Sequence, residues 1–241
     1  MNLTSCINKI LSVIYPEKIT CIFCDAEIFD ENKFGMCDKC AKTLPFIKEK
    51  VCKKCGDLIK SMANYCDKCQ KNPPVFEKAS SVFYYKDNIK SAIKKFKFDG
   101  CKYLSKYFAE FLADKYFAEK FSCDVITYVP VHEERLKTRG YNQSELLAKD
   151  LSNLINIPFV KDAIIKSKKT LYQADLNYKQ RQSNLIDAFK VANNKLFKDK
   201  SVLLVDDIFT TGATANECVK VVKACGASKV FVLTIAHTII E

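Results

Sequence analysis

The chain has 241 residues, 48% of them apolar, and a formal net charge of +11. This apolar content excludes wholesale disorder, and no apolar run reaches the 18 residues or so that a membrane span needs. The positive charge favours nucleic acid or other phosphorylated partners, without choosing between them.

The first feature along the chain is a short apolar run, Ile10–Tyr15, with Lys9 directly before it and no basic leader. This run is a poor match to a signal peptide. We expect a short amphipathic helix that packs on the rest of the protein. A cytoplasmic location follows as the working expectation.

Four C-x-x-C pairs come next and use eight of the thirteen cysteines. They are Cys21/Cys24, Cys37/Cys40, Cys52/Cys55 and Cys66/Cys69. Two intervening residues make a tight knuckle that aims both sulfurs at one ion, and two knuckles complete a tetrahedral thiolate shell. We expect structural zinc, because a full shell leaves no open position for catalysis. Rubredoxin-type iron and a redox disulfide are the alternatives.

The spacing between the pairs suits small ribbon hairpins, since 12, 11 and then 10 residues separate successive knuckles. This predicts that the first two pairs share one zinc ion and the last two share another. A crossed scheme, first with third and second with fourth, stays open. Two such sites would lower the net charge from +11 to +7. The unpaired Cys6, Cys101, Cys123, Cys218 and Cys225 are expected to be small core or surface residues.

A change of texture after Asn72, Pro73 and Pro74 marks a domain boundary. We expect an N-terminal helix and double zinc ribbon over residues 1–72 and a second domain over 81–241. In the second, buried apolar runs alternate with amphipathic stretches, which predicts an α/β fold with a Rossmann-like parallel sheet. The predicted strands are 81–85, 124–131, 163–165, 201–206 and 229–235, and the predicted helices are 88–98, 103–120, 144–155 and 213–225.

Arginine is rare, with three among the 39 basic residues. Arg135 and Arg139 lie in a polar loop after the second predicted strand, and Arg181 follows a polar stretch that resembles a flexible active-site cover. Because arginine grips phosphate oxygens with a planar fork that lysine lacks, these positions suggest phosphate contacts. Accident or a structural ion pair is the alternative. His132, in the same loop, either donates to phosphate or supports the turn, and His237 receives no role.

The most informative segment runs from Val202 to Thr214. A strand buried on both faces ends in Asp206 and Asp207, and a polar turn then leads into a helix. Such a turn offers free N–H groups and a positive dipole end to an anion, whereas the carboxylates suit sugar hydroxyls or a magnesium shell. The segment therefore predicts a ribose 5-phosphate site. Its residues are Asp206, Asp207, Thr210, Thr211, Gly212, Ala213 and Thr214.

The same segment resembles the 5-phosphoribosyl 1-pyrophosphate (PRPP) motif of type I phosphoribosyltransferases: an apolar strand, two acids and a Thr-Gly-x-Thr loop. A second segment, Val129–Ser144, resembles the signature of the ComF family, with its Val-Pro-Val-His turn, spaced basic residues and Arg-Gly-Tyr-Asn-Gln-Ser sequence. With the cysteine ribbons, this resemblance covers nearly the whole chain.

The resemblance implies a type I phosphoribosyltransferase-like domain behind the double zinc ribbon. By analogy, Val131, His132, Arg135 and Arg139 would bind pyrophosphate, and magnesium would accompany PRPP. ComF proteins are linked to natural transformation, which implies single-stranded DNA and a helicase-like competence partner.

Two hypotheses follow, and both can hold. In the first, the protein handles DNA during uptake, with lysines on phosphates and aromatics on bases, for which Lys94–Phe98 and Lys102–Tyr107 are candidate runs. Aromatics at helical spacing are more often core, and the zinc ribbons could supply the contacts instead. In the second, the protein is an active phosphoribosyltransferase whose acceptor, a nucleobase or amine, is unidentified.

Overall fold

The computed structural model describes residues 20–28, 32–59, 63–168, 185 and 187–239. Cys6, Arg181 and the predicted N-terminal helix lie outside these ranges. None of the helices in the described ranges has both the length and the apolar character to cross a membrane.

A four-stranded parallel sheet forms the centre of the molecule. Its order is β1-β6-β5-β2, with β1 at Lys78–Tyr84, β2 at Val125–Tyr128, β5 at Ser201–Phe209 and β6 at Lys229–His237. Alternate residues of β5 enter two cores: Leu203 and Val205 face one, Val202 and Leu204 the other. All four are fully buried, which explains the unbroken apolar run.

Helices cover both faces of this sheet. Their bounds are α3 Asp87–Phe98, α4 Leu104–Ala118, α5 Glu133–Arg139, α6 Gln143–Ile155 and α7 Ala213–Ala224. Helices α4 and α6 pack on one face and α7 on the other. Helix α3 shows why these segments are helical, since Ile89, Ile93 and Phe96 recur at helical spacing and are fully buried.

The predicted parallel α/β architecture is confirmed, but one strand assignment is corrected. The predicted strand at 163–165 is β3, Ile164–Lys166, and it lies outside the parallel sheet. It pairs antiparallel with β4, Phe189–Val191, which the sequence analysis missed. Three residues are too few to show a period, and the partner is more than twenty residues away along the chain.

The two cysteine-rich segments pack directly on this fold. Each contains a minimal antiparallel bridge, Thr20 with Glu27 and Val51 with Leu58, and a short helix, α1 at Asp38–Thr43 and α2 at Asp67–Lys71. The segment between them covers the exposed edge of β1: the Tyr84 amide donates to the Pro45 carbonyl at 2.8 Å. An open sheet edge is thereby closed.

Candidate ribose-phosphate site and zinc centres

A cavity of about 410 Å³ opens at the carboxyl ends of the parallel strands. Open α/β sheets bind ligands at this edge, and the volume suits a small phosphorylated sugar. Five of the seven residues predicted to bind ribose phosphate line the cavity: Asp206, Asp207, Thr210, Gly212 and Thr214. Thr211 and Ala213 line a neighbouring cavity of about 400 Å³ on the side of the second cysteine cluster.

The two aspartates have different partners. The Ser144 hydroxyl donates to Asp206 Oδ1 at 2.8 Å, and the Asp207 amide donates to the same oxygen at 2.9 Å. Asp207 Oδ2 lies 2.8 Å from Lys97 Nζ. Burial, and next the charge of Asp207, raise the pKa of Asp206 to about 7. The Asp206 carboxyl therefore changes charge near neutral pH.

The turn after β5 is arranged for an anion. Gly212 has a φ of 74°, and it precedes the 12-residue helix α7. A Cβ at this glycine would lie 2.5 Å from the Phe209 ring, so the turn needs glycine for both its backbone angle and its space. The amides of Thr210, Thr211 and Gly212 donate to no other described residue, and they precede the positive end of the helix dipole.

The segment Arg139–Ser144 positions Asp206. Tyr141 donates its hydroxyl to the Phe96 carbonyl, which ties the segment to α3. Asn142 accepts from the Ser144 amide at 3.0 Å and donates to the Val129 carbonyl at 3.0 Å, which fixes the start of α6 against the end of β2. Ser144 is thereby held beside Asp206, a contact that the sequence analysis did not foresee.

Cationic side chains also line the cavity. They are Lys94, Lys97, Arg135, Arg139 and Lys166. Burial, and next the charge of Arg135, lower the pKa of Lys166 to about 8. Lys97 and Lys166 were not predicted as site residues from the sequence, because lysines are common throughout the chain. The signal available for Lys166 was its place at the end of a predicted strand.

The remaining predicted pyrophosphate residues are less involved. Val131 and His132 are not among the residues lining the cavity, whereas their neighbours Val129 and Pro130 are. The His132 ring accepts from the Glu134 amide at 3.3 Å and caps α5, which is the turn-supporting alternative. His237, which received no role, holds the Phe209 carbonyl 3.0 Å from its Nδ1, directly before the turn.

The eight paired cysteines form two separate clusters. Cys21, Cys24, Cys37 and Cys40 make one, Cys52, Cys55, Cys66 and Cys69 the other, and the sulfurs of each lie within 4.8 Å of one another. Four sulfurs about 2.3 Å from zinc would be about 3.8 Å apart. The Cys24–Cys37 and Cys55–Cys66 sulfur distances are 3.6 and 3.7 Å, so the residues fit the ion. Sequential pairing is observed, and the crossed scheme is wrong.

Backbone amides support the thiolate form of two of these ligands, Cys37 and Cys52. The Cys66 amide donates to Cys52 Sγ at 3.3 Å, and the Cys40 amide donates to Cys37 Sγ at 3.5 Å. The bond from Cys40 lowers the pKa of Cys37 to about 7. A thiolate is the form that binds zinc.

Comparison with known families and proteins agrees with both parts of this description. Residues 10–70 match the model of the double zinc ribbon domain, and residues 142–239 match the phosphoribosyl transferase domain. These matches identify the two cysteine clusters as zinc sites and the α/β fold as phosphoribosyltransferase-like.

Curated proteins resemble the chain over most of its length. Competence protein F of Haemophilus influenzae is 31% identical over 224 residues, covering 90% of this chain and 96% of that protein. DNA utilization protein YhgH of Salmonella typhimurium is 26% identical, covering 86% and 92%. Competence protein ComFC of Streptococcus pneumoniae is 27% identical, covering 81% and 84%.

Proposed function

Because this chain belongs to the competence protein F family, we propose that it serves DNA uptake as a protein that binds PRPP, or a related ribose phosphate, together with single-stranded DNA. The ligand proposal rests on the charged and polar groups that line one cavity. Two carboxylates and several cations line it together, and the turn after β5 adds amides that donate to no other described residue. A ribose with phosphates at both ends offers hydroxyls to the carboxylates and phosphates to the cations and amides.

Different residues of the chain bind different parts of the ligand. Asp206 and Asp207 accept from the ribose hydroxyls, and the turn at residues 210–214 binds the 5-phosphate through the amides of Thr210, Thr211 and Gly212. Arg135, Arg139 and Lys166 hold the pyrophosphate. Magnesium, where it accompanies PRPP, neutralises pyrophosphate charge, and the same carboxylates are oxygen ligands of the type that it prefers.

The DNA side of the proposal is supported by charge and by kinship. Relatives carry the names competence protein and DNA utilization protein. The net charge of +11, or +7 with two thiolate-bound zinc ions, favours a polyanion. The protein would act in the cytoplasm on the incoming strand, beside a helicase-like partner.

Calorimetry with PRPP and magnesium tests the ligand. The wild-type protein should bind, and the Asp206→Asn/Asp207→Asn double variant should lose at least tenfold in affinity. Asp114→Asn, whose carboxylate pairs with Lys33 on an exposed surface of α4, is the matched control and should bind like wild type. Equal PRPP affinity in the wild type and the double variant would show that the ligand does not bind at these acids.

The second candidate function is an active phosphoribosyltransferase, favoured by the cations Arg135 and Lys166 in the same cavity as the two acids. In that reaction the C1–oxygen bond to pyrophosphate breaks, a bond from C1 to an acceptor nitrogen forms, and the acceptor loses a proton. Arg135 and Lys166 would stabilise the departing charge. Incubation with PRPP, magnesium and a panel of nucleobases and amines should then release pyrophosphate. No release across the panel would leave ligand binding without catalysis.

A further inference from the structure

A groove of about 520 Å³ continues from the ribose-phosphate cavity along the surface. Lys97, Phe98, Arg135 and Arg139 line both spaces, so a ligand in one is adjacent to a ligand in the other. The groove is built where the end of α3 meets α5. Its remaining lining residues are Gly100, Glu134, Thr138 and Tyr141.

Phe98 presents an aromatic ring to this groove. It is the last residue of α3 and is 60% exposed, whereas Phe96, two residues earlier, is fully buried. The Arg139 guanidinium lies 5.1 Å from the centroid of the Phe98 ring. An aromatic ring beside a stacked guanidinium is a surface on which a nucleobase can stack.

The charges around this ring suit a phosphate chain. Among the residues lining the groove, Lys97, Arg135 and Arg139 are cationic and Glu134 is acidic. Lys94 and Lys102, both exposed, flank the same end of α3. A free neutral base would need no such excess of cations, whereas a nucleic acid strand needs cations on its phosphates and a platform for its bases.

We propose that the groove is where single-stranded DNA binds, with one base stacked on Phe98 and the neighbouring phosphates near Lys94 and Lys102, while Arg135 and Arg139 stay with the pyrophosphate. The inference rests on the proposed function, since it names the DNA surface of the same protein. A duplex would not satisfy the platform, because its bases are already stacked on one another. Of the two aromatic runs in the sequence, this places the contact in Lys94–Phe98. In the other run Tyr107 is core, whereas Tyr103 is 54% exposed.

Fluorescence anisotropy with a labelled oligo-dT at low salt tests this placement. Phe98→Ala should weaken binding about tenfold, within the range of one base-stacking contact, and Phe98→Tyr should restore it to within threefold of wild type. Phe117→Ala is the matched control: that ring, on α4, is 61% exposed and should be dispensable. Melting temperatures of all variants report whether each one folds.

The possible results distinguish a failure of this inference from a failure of the proposed function. If wild type binds the oligonucleotide and Phe98→Ala binds as well as Phe117→Ala, the groove is not the DNA surface, although the proposed function stands. If wild type binds PRPP but no oligonucleotide, the DNA half of the proposed function fails. Displacement of the oligonucleotide by duplex at equal concentration would also overturn the stacking platform.

Discussion

At the scale of single residues, the site depends on how Asp206 is held. The sequence predicted both acids, because two carboxylates at the end of a buried strand have few structural uses. It did not predict that Ser144 and Lys97 would be their partners. Those contacts join residues more than sixty positions apart, and no local pattern reports on such a distance.

The raised pKa of Asp206 predicts that ligand binding is coupled to protons. The empty protein keeps a proton on this carboxyl up to about pH 7, so its stability should fall as pH rises through that value. Ribose hydroxyls and magnesium favour the carboxylate, so binding near pH 6.5 should release protons. Phosphate beside Lys166, whose pKa is lowered to about 8, should cause proton uptake near pH 8.5.

Calorimetry in buffers of different ionisation enthalpy measures this exchange. The proton count should change sign between the two pH values, and Asp206→Asn should abolish the release while keeping the uptake. A release that persists in Asp206→Asn would assign the proton to another group.

Ser144→Ala tests the positioning of the acid. The change removes one hydrogen bond and should lower the free energy of unfolding by about 1 kcal/mol. PRPP affinity should also fall, and the proton release should shift to higher pH, because the carboxylate loses a donor. Ser144→Thr, which retains a hydroxyl, should recover part of both. Loss of stability with an unchanged pH profile would mean that Ser144 is merely structural.

At the scale of elements, helices and strands with long apolar patterns were predicted correctly, whereas short elements were missed. The buried run of β5 and the periodic helices α3, α6 and α7 were predicted to within three residues at each end. The short helix α5 was missed, because its seven residues have no buried side chain and hence no apolar stripe. The antiparallel pair β3 and β4 was missed for the same lack of period.

Gly212→Ala tests the turn between β5 and α7. A left-handed backbone costs about 1–2 kcal/mol with a Cβ present, and here the new carbon would also meet the Phe209 ring. PRPP affinity should fall at least tenfold. Gly100→Ala is the matched control, since it has a φ of 72° and no atom within 4 Å of its Cβ position. Equal affinities in the two variants would show that the shape of the turn does not matter to the ligand.

At the scale of the molecule, the zinc ribbons pack directly against the phosphoribosyltransferase-like fold. Phe23 and Phe34 of the first ribbon pack on Phe111 of α4, with ring centroids 6.2 and 4.3 Å away. In the second ribbon, the Lys54 carbonyl accepts from the Ala79 amide of β1 at 2.8 Å. The sequence predicted the metal sites from spacing alone, but docking surfaces are scattered along the chain and carried no pattern.

The position of the second ribbon predicts that its zinc ion supports the phosphate turn. Cys55 and Cys69 line the same cavity as Thr211 and Gly212. Cys52→Ser/Cys55→Ser should therefore lose one zinc ion, melt at a lower temperature and bind PRPP more weakly. Cys21→Ser/Cys24→Ser should lose one zinc ion and stability with a smaller loss of PRPP affinity. Metal analysis, melting and calorimetry decide; equal losses of affinity would rule out a local effect.

The most direct measurement is a crystal structure of the full chain with PRPP and magnesium bound. We predict the 5-phosphate within hydrogen-bond distance of the amides of Thr210, Thr211 and Gly212, with the ribose hydroxyls on Asp206 and Asp207. A ligand bound elsewhere, or one whose ribose lies away from both acids, would contradict it.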